Sequence, residues 1–358
     1  MKKILIISAF PPNQKTAGQD YTRRMILDLL DKGHKVSIIY AEYLGHSVEL
    51  PCEVTILKTY KPTLRNCLKK INYHPFFTKR FDKNILTKIQ QESSNFDILY
   101  FDFSQMHIYS KYVDHPCKIL MCHDVICQKY TRKGKWQLPF VKFTENAFLT
   151  TASKIITFSE KDSALIKKNY RLPSVSVNFY LKSNRFIYKQ DKLEDYFCFY
   201  GAWNRPENFE SLIWFVENVF PKLQKIQRFC IIGGNLSEEN KQIISKYKNF
   251  SYLGFVDNPL IELSKARALI VPLKKGAGVK VKVIDALTTG CPVIGSDIAF
   301  EGIKDNKEYQ LFYKCNSIDE YIDCIDNWID FTVDKKQKAA DEFFYRYNEN
   351  HFSDLIED

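Results

Sequence analysis

The sequence predicts an α/β protein of two doubly wound domains, and three observations carry this expectation. The chain has 358 residues, which suggests two domains of about 180 residues rather than one core. Short apolar segments alternate with stretches of helical periodicity, as in parallel sheets covered by helices. This alternation occurs twice, and the polar stretch 182–195 lies between the two occurrences.

The first domain is predicted to open with a β-loop-α-β unit. A strand at 3–10 leads through a loop into a helix from Gln19 to Lys32, which Gly33 ends before a strand at 35–42. Further buried strands are expected at 54–58, 97–103, 118–124 and 154–159. The first domain is therefore placed at residues 1–185.

The second domain repeats this organisation and is placed at residues 186–334. Its strands are expected at 196–203, 228–234, 250–256, 266–273 and 291–297, with a helix from Glu207 to Phe220 after the first. The last segment, 335–358, is helical by pattern to about Phe352 and is expected to cross back towards the first domain. Two Rossmann-like domains that face a central cleft are the predicted architecture.

Composition excludes several classes of protein. The chain is 45% hydrophobic and 26% charged, and it has no apolar run near the roughly 18–20 residues of a spanning helix, so disorder and membrane spanning are not expected. The apolar N-terminus stops at Pro11-Pro12 without a cleavage site and is interpreted as a buried strand. The ten cysteines are scattered, which favours reduced thiols in a cytoplasm.

The charge is unevenly distributed along the chain. Residues 1–190 carry 31 Lys and Arg against 15 Asp and Glu, whereas residues 191–358 carry 21 against 27. The halves therefore have net charges of +16 and −6. This asymmetry predicts that the first half faces an anionic partner, such as a lipid surface, a phosphorylated substrate or a nucleic acid.

The basic excess is concentrated in two segments that also carry aromatic residues. Residues 54–90 contain nine Lys or Arg against the single acidic residue Asp82, and they include Tyr60, Tyr73, Phe76, Phe77 and Phe81. Residues 129–142 contain five bases, Trp136 and Phe140, and no acidic residue. This combination is typical of a protein surface that docks on anionic lipid. A solvated face above core aromatics is the alternative, and nucleic acid is not expected because no reader motif accompanies the charge.

The densest motif lies at residues 272–297. A strand end is followed by a loop with Gly276 and Gly278, by a helix that carries Lys282 and Asp285, and by a glycine before the next strand. Glycines allow backbone N–H groups to approach a phosphate, and a helix N-terminus with lysines adds positive charge. The motif therefore predicts a diphosphate site, with a glycine turn and solvated lysines as the alternative.

The same motif resembles the C-terminal signature of the retaining GT-B glycosyltransferases of family 4, also called group 1, of the kind that builds bacterial surface polysaccharides. The matching residues are Pro272-Leu273, Gly276-Ala277-Gly278, Lys282, Asp285-Ala286, Gly290 and Pro292-Val293-Ile294. Residues 200–223 resemble the family's glycine, Pro-x-Asn and Trp-Phe helix, 253–258 its nucleotide-base strand, and Glu301-Gly302 its Glu-Gly pair. The first half resembles the family at the loop of Gly18, at His123 in 121–125 and at the Ser-Glu helix start in 156–162.

The resemblance implies a role for each matched residue. The second domain would hold a nucleotide sugar and the first would lie on the acceptor side. Lys282 would stabilise the donor diphosphate as a catalytic residue, and Asp285 would hold the ribose. His123, the other implied catalytic residue, would lie near the reacting sugar at a strand's carboxyl end. The remaining implied donor-binding residues are Gly18, Arg205, Phe255, Val256, Gly276, Ala277, Gly278, Lys280 and Glu301.

One departure from the family pattern concerns a pair of glutamates eight residues apart. The equivalent positions are Ala277 and Asp285, so the first carboxylate is absent and the second is shortened. An aspartate still accepts hydrogen bonds from ribose hydroxyls. This departure leaves open how the protein contacts the sugar ring. It therefore also leaves open the identity of the donor and the stereochemistry of transfer.

The sequence lacks the motifs of competing chemistries. No Asp-x-Asp is present, so a metal-independent site that needs no cofactor is expected. The cysteines at 117, 122 and 127 beside His123 lack zinc spacing. No Walker loop, HExxH, Gly-x-Ser-x-Gly or GxGxxG occurs, which removes the main support for nucleotide hydrolysis, metalloprotease and dehydrogenase activities.

The predicted function is therefore transfer of a sugar from a nucleotide-diphosphate sugar to a carbohydrate or polyprenyl-linked acceptor. A cytoplasmic protein, peripheral on the inner face of the cell membrane, is expected. Two alternatives stay open: a nucleotide-sugar epimerase of the same fold, and a non-catalytic subunit that binds a nucleotide sugar for a partner transferase.

Overall fold

The computed structural model describes residues 1–63, 72–133, 135–177, 185–189, 193–276, 278–305, 308–347 and 352–357. The chain divides into two compact units, each with its own parallel sheet. Unit 1 consists of Met1–Leu181 together with Asn350–Asp358, and unit 2 of Lys182–Glu349. The division falls after residue 181, four residues before the expected boundary.

Within the described residues, the sheet of unit 1 has seven parallel strands. They are β1 (Lys3–Ser8), β2 (Lys35–Ala41), β3 (Thr55–Tyr60), β4 (Ile98–Asp102), β5 (Lys118–Cys122), β6 (Lys154–Thr157) and β7 (Val175–Ser176). Their order across the sheet is β3-β2-β1-β4-β5-β6-β7. The order therefore reverses between β1 and β4. Open α/β sheets bind ligands at such a switch point, beyond the carboxyl ends of the strands.

Helices connect these strands and cover the sheet. They are α1 (Ala17–Asp31), α2 (Pro75–Thr78), α3 (Lys83–Glu92), α4 (His107–Ser110), α5 (Ile126–Lys133), α6 (Leu138–Leu149) and α7 (Glu160–Tyr170). The hydroxyl of Thr16 caps α1 by accepting a hydrogen bond from Gln19 N. This helix buries Met25, Ile26 and Leu29, which, with the fully buried residues of β1, form the apolar interior that stabilises the unit.

Unit 2 has a sheet of six parallel strands in its described part. They are β8 (Phe197–Tyr200), β9 (Phe229–Ile232), β10 (Phe250–Gly254), β11 (Leu269–Val271), β12 (Val293–Gly295) and β13 (Phe312–Lys314). Their order is β10-β9-β8-β11-β12-β13, so the switch point lies between β8 and β11. The expected strands of both sheets are confirmed, with shorter bounds except for β3, which extends to Tyr60 where 54–58 was expected. The strands β7 and β13, of two and three residues, were not predicted.

The helices of unit 2 are α8 (Pro206–Asn218), α9 (Glu238–Ile244), α10 (Pro259–Lys265), α11 (Val281–Thr288), α12 (Ile318–Asp326) and α13 (Val333–Tyr347). Aromatic side chains dominate the core between the sheet and α8. The rings of Phe229 and Phe250 stack at 4.6 Å, and Phe215 packs edge-on against Phe199 at 5.1 Å.

The end of the chain is divided between the units. The helix expected to extend to about Phe352 is α13, which is described over Val333–Tyr347 and lies in unit 2, while residues 348–351 lie outside the described residues. The last helix, α14 (Asp354–Glu357), belongs to unit 1. There Lys2 Nζ donates to Ile356 O and Lys154 Nζ to Leu355 O, each at 2.6 Å, and the ring of Phe352 contacts Tyr100 edge-on at 5.3 Å. These contacts hold the C-terminal segment on the first sheet.

Candidate functional site

The predicted phosphate-binding residues of unit 2 surround its topological switch point. Gly201 directly follows β8, and residues 272–280 connect β11 to α11. Lys282 lies in the first turn of α11. Two strands that are distant in sequence thus bring these residues to one edge of the sheet, which is where the fold places ligands.

Lys282 is held by an amide side chain rather than by a carboxylate. Its Nζ donates to Asn208 Oδ1 at 2.7 Å, and Asn208 Nδ2 donates to Ala202 O at 2.9 Å, which orients the amide. A Cβ on Gly201 would lie 2.9 Å from Asn208 Nδ2 and 3.4 Å from Lys282 Nζ. Glycine at position 201 therefore leaves the space that this arrangement requires.

The electrostatic surroundings of Lys282 favour an anion. Burial, followed by the positive charges of Arg205 and Lys280, lowers the pKa of Lys282 to about 7, and the charge of Glu207 opposes this shift. Arg205 and Lys280 occupy the N-cap positions of α8 and α11, and helix N-termini attract negative charge. An anion bound here would relieve the repulsion among the three cations, as expected of a phosphate site.

Lys280 differs from Lys282 because it already has a carboxylate partner. Its Nζ donates to Gly278 O at 2.5 Å and lies 3.7 Å from Glu301 Oε2. Gly276 and Gly278 have φ values of +146° and +69°, in the region that favours glycine. The loop 272–280 therefore holds Gly276, Gly278 and Lys280 together, and Lys280 connects it to Glu301, whereas Ala277 lies outside the described residues.

The residues predicted to hold the nucleoside lie at the same edge of the sheet. Asp285 is buried. Burial of Tyr200, followed by the negative charge of Asp285 and the hydrogen bond from the Tyr200 hydroxyl to this carboxylate, raises the pKa of Tyr200. Phe255 directly follows β10 and is 77% exposed, and the next residue, Val256, is half-buried. Since β10 is two strands from β8, Phe255 lies about 10 Å along the edge from Gly201.

The predicted residues of unit 1 meet at its own switch point. Ser8 and Asp102, the last residues of β1 and β4, are paired in the sheet register, and His123 directly follows β5. His123 Nε2 lies 2.7 Å from Asp102 Oδ1. Asp102 also accepts hydrogen bonds from Thr22 Oγ1 at 2.5 Å and from Ser8 Oγ at 3.3 Å.

Gly18 is packed against this group. A Cβ at position 18 would lie 2.9 Å from the Phe103 ring and 3.4 Å from His123 Nδ1. The Phe103 ring stacks on the His123 imidazole at 3.7 Å with an interplanar angle of 13°. Phe103 itself has φ +68°, a costly backbone conformation for a bulky residue and one that is concentrated at functional sites.

Three residues of these sites were not singled out from the sequence. Asp102 ends a predicted strand, the same signal that indicated His123, so its position could have identified it. Asn208 stands in the Pro-x-Asn match, but nothing in that match assigned it to Lys282. Tyr200 carries no sequence signal, because its contact with Asp285 joins residues 85 positions apart.

The prediction that 54–90 presents its aromatic residues on a basic surface is wrong for three of them. Tyr60, Phe77 and Phe81 are 8%, 0% and 3% exposed and belong to the core. Arg80 is also buried, with its guanidinium 4.1 Å from the centre of the Phe10 ring. These rings fill the interior beside the sheet, where burial of apolar area is favourable. The bases at 65, 69 and 70 lie outside the described residues.

The fold and the second unit have counterparts among known proteins. The chain superposes with a TM-score of 0.71 on sucrose-phosphate synthase from Thermosynechococcus elongatus, at 13% identity over 100% of this chain and 98% of that one. The TM-score is 0.68 for S. aureus TarM in complex with fondaparinux, alpha-GlcNAc-glycerol and UDP, at 13% identity over 99% and 98%. The fold is therefore GT-B, with two Rossmann-like domains.

Residues 194–330 match the family described as "Glycosyl transferases group 1". A curated relative, an uncharacterized 44.6 kDa protein in the cps region of Klebsiella pneumoniae, is 31% identical over 138 residues. That match spans 35% of this chain and 35% of the relative. The residues similar to this family thus lie in unit 2, and they include Lys282, Asp285 and Phe255.

Proposed function

We propose that this protein transfers a sugar from a nucleoside-diphosphate sugar to a hydroxyl group of a carbohydrate or lipid-linked acceptor. We further propose that transfer retains the anomeric configuration and needs no metal. The observation that carries the proposal is the desolvated ammonium of Lys282, which lies among two further cations at the switch point of the matched domain.

The chemistry of transfer suits these side chains. As the glycosidic bond to phosphate breaks, negative charge grows on the leaving diphosphate, and pre-positioned cations stabilise it. Lys282 supplies such a charge, and the N-termini of α8 and α11 add their dipoles. In this proposal Asp285 accepts hydrogen bonds from the ribose hydroxyls, the backbone at Phe255 and Val256 contacts the base, and His123 lies on the sugar or acceptor side.

The relatives support the class of substrate. The TarM structure contains UDP, and the Klebsiella relative is encoded in a cps region, so we propose a surface polysaccharide or its lipid-linked precursor as the acceptor. The test is incubation with a panel of nucleotide sugars, with and without acceptor, followed by measurement of free nucleotide and of the product's anomeric configuration. Acceptor-dependent nucleotide release supports transfer, and release of no nucleotide from any donor contradicts it.

Activity is expected to survive chelation. The sequence contains no Asp-x-Asp, and the proposed diphosphate site offers lysines and helix N-termini in place of a divalent ion. Transfer rates measured with and without EDTA should agree within about twofold. Removal of a catalytic metal would instead cost several kcal/mol of transition-state stabilisation, which is a much larger loss of rate. Complete loss of activity that manganese or magnesium restores would overturn the metal-free proposal.

Binding of a nucleoside diphosphate is expected to take up a proton above pH 7. The pKa of Lys282 is lowered to about 7 in the free protein, and an adjacent diphosphate favours the ammonium form and raises that pKa. Affinity should therefore be insensitive to this group below pH 7 and fall by up to about tenfold per pH unit above it.

Calorimetry at pH 8 in two buffers of different ionisation enthalpy measures this proton uptake. Lys282→Arg is the matched control, because a guanidinium stays charged throughout this range. The variant should bind without proton uptake. Equal uptake by the wild type and the arginine variant would assign the proton to another group.

We also propose that one surface of unit 1 binds anionic lipid. The two basic segments meet at Phe76, since Lys79 Nζ and Lys129 Nζ lie 5.0 and 5.6 Å from the centre of its ring. Three apolar side chains nearby in the sequence are exposed: Trp136 at 83%, Phe140 at 39% and Phe143 at 61%. The basic-aromatic surface is defined as Lys79, Lys129, Trp136, Phe140 and Phe143. Among the helices of the described residues, none has the length and apolar character needed to cross a bilayer.

Wild-type protein is expected to bind vesicles that contain anionic lipid, and binding should weaken steeply with salt, because exposed charges are screened over about 8–10 Å. The double variant Trp136→Ser/Phe143→Ser should release the protein, since it removes the side chains that would enter the headgroup layer. Ile226→Ser/Ile329→Ser, at 92% and 82% exposed positions of unit 2, is the control. If the two variants sediment with the vesicles to the same extent, the basic-aromatic surface does not bind lipid and is an ordinary solvated face.

A further inference from the structure

The carboxylate of Asp102 differs in its position from Glu145, another buried carboxylate of unit 1. Glu145 accepts hydrogen bonds from the backbone N–H groups of Ile126 and Cys127 at 2.8 and 3.0 Å, at the start of α5, and one from the Tyr170 hydroxyl. Asp102 is fully buried, and its carboxylate is hydrogen-bonded to the side chains of Ser8, Thr22 and His123. Asp102 lies at the carboxyl edge of the sheet, which is where this fold binds ligands, and this position indicates a functional role for the carboxylate.

The geometry assigns different roles to the two nitrogens of His123. A buried carboxylate accepts hydrogen bonds, so Nε2 carries the proton that it donates to Asp102. In neutral histidine the other nitrogen then has no proton and offers a lone pair. That nitrogen, Nδ1, lies 3.4 Å from the position of a Cβ on Gly18, so it faces the first turn of α1, where the absence of a side chain keeps this approach free of an added Cβ.

The imidazole ring has little freedom to depart from this orientation. Phe103 stacks on one face at 3.7 Å, and Tyr21 and Phe158 contact the ring edge-on at centroid distances of 5.8 and 4.9 Å. Thr22, on α1, holds the carboxylate from the same helix whose first turn contains Gly18. Aromatic packing thus restricts the ring plane, and the carboxylate determines which nitrogen is protonated.

We propose that Asp102 is a positioning residue: it holds His123 with the proton on Nε2 and presents Nδ1, beside Gly18, as a hydrogen-bond acceptor for a hydroxyl group of the sugar substrate. This inference rests on the proposed function for the identity of the ligand. The state of the imidazole is a property of unit 1 alone, and it can be measured without substrate.

The first test is nitrogen NMR of 15N-histidine-labelled protein, in which the protonated nitrogen is recognised by its shift and couplings. His123→Asn identifies the resonances of His123 among the seven histidines. We expect the neutral wild-type ring to carry its proton on Nε2, and Asp102→Asn to populate the Nδ1-protonated form. A wild-type ring protonated on Nδ1, or no change in the variant, would overturn the proposal.

The second test is kinetic. Asp102→Asn should slow transfer by about 10- to 100-fold, the loss that follows when the carboxylate orienting a metal-ligating histidine is removed, while nucleoside-diphosphate affinity changes by less than about twofold. Glu145→Gln is the matched control, because it neutralises a buried carboxylate that is not bonded to His123. It should leave the tautomer and the rate unchanged, and an equal loss of rate in both variants would reduce Asp102 to a folding role. If the wild type transfers no sugar, the proposed function fails, but the tautomer of His123 still decides this inference.

Discussion

Lys282→Ala is expected to lower kcat/KM by about 2–4 kcal/mol, or roughly 30- to 1,000-fold, as when one charged partner of a developing oxyanion is removed. The ammonium lies in a desolvated position, where burial lowers its pKa to about 7, so its charge acts on a bound phosphate with little screening by water. Steady-state kinetics with the best donor of the panel measure the effect.

Two controls separate this loss from a folding defect. Lys282→Met retains the apolar stem and removes only the charge, so it should lose as much activity as the alanine variant. Lys275 lies in the same loop with its side chain 69% exposed and paired with Glu210 at 3.2 Å, and Lys275→Ala should have wild-type kinetics. Wild-type turnover by Lys282→Met would show that the phosphate site is wrongly assigned.

His123→Ala is expected to reduce transfer by about 100-fold or more, in the range of a lost acid, base or hydrogen-bond partner at a reacting group. Nucleoside-diphosphate affinity should stay within about twofold, because every side chain proposed to hold the nucleotide lies in unit 2. Calorimetry with the nucleoside diphosphate and rate measurements with the complete donor provide the two values.

The control for this variant is another partly buried histidine of unit 1. His115 is hydrogen-bonded to Cys117 O and Phe96 O at 2.9 and 3.0 Å, before the start of β5 and therefore away from the carboxyl edge. His115→Asn should affect stability more than rate. A parallel fall of affinity and rate in His123→Ala would instead identify His123 as a nucleotide-binding or structural residue.

Most of the fold could be predicted because its signals are local. Apolar runs and helical periodicity are repeated along the sequence, and they located the central strands of both sheets, such as β1 and β8, as well as the helices α1 and α8. The strands β7 and β13 were not predicted, since two or three residues show no periodicity and pair only because a neighbouring strand is present.

The candidate site was predictable in part. The loop at 272–282 could be recognised because its glycines and lysines are adjacent in the sequence, and the structure places Gly276, Gly278, Lys280 and Lys282 together. Asn208 could not be assigned to Lys282, because 74 residues separate them. The partner of His123 was missed likewise, since Asp102 is 21 residues away and reaches the imidazole only through the register of neighbouring strands.

The sequence alone determined the class of fold, the repeated domain and the existence of a glycine-lysine loop at a helix N-terminus, because these depend on interactions between near neighbours in the chain. Only the tertiary structure decided which charged and aromatic groups are buried. Composition grouped Tyr60, Phe77, Arg80 and Phe81 with a basic surface, but packing against other elements buries all four. It likewise leaves Trp136 and Phe143 exposed. Burial, and with it the lowered pKa of Lys282 and the hydrogen bond between Asp102 and His123, depends on contacts between residues far apart in sequence, which no local pattern specifies.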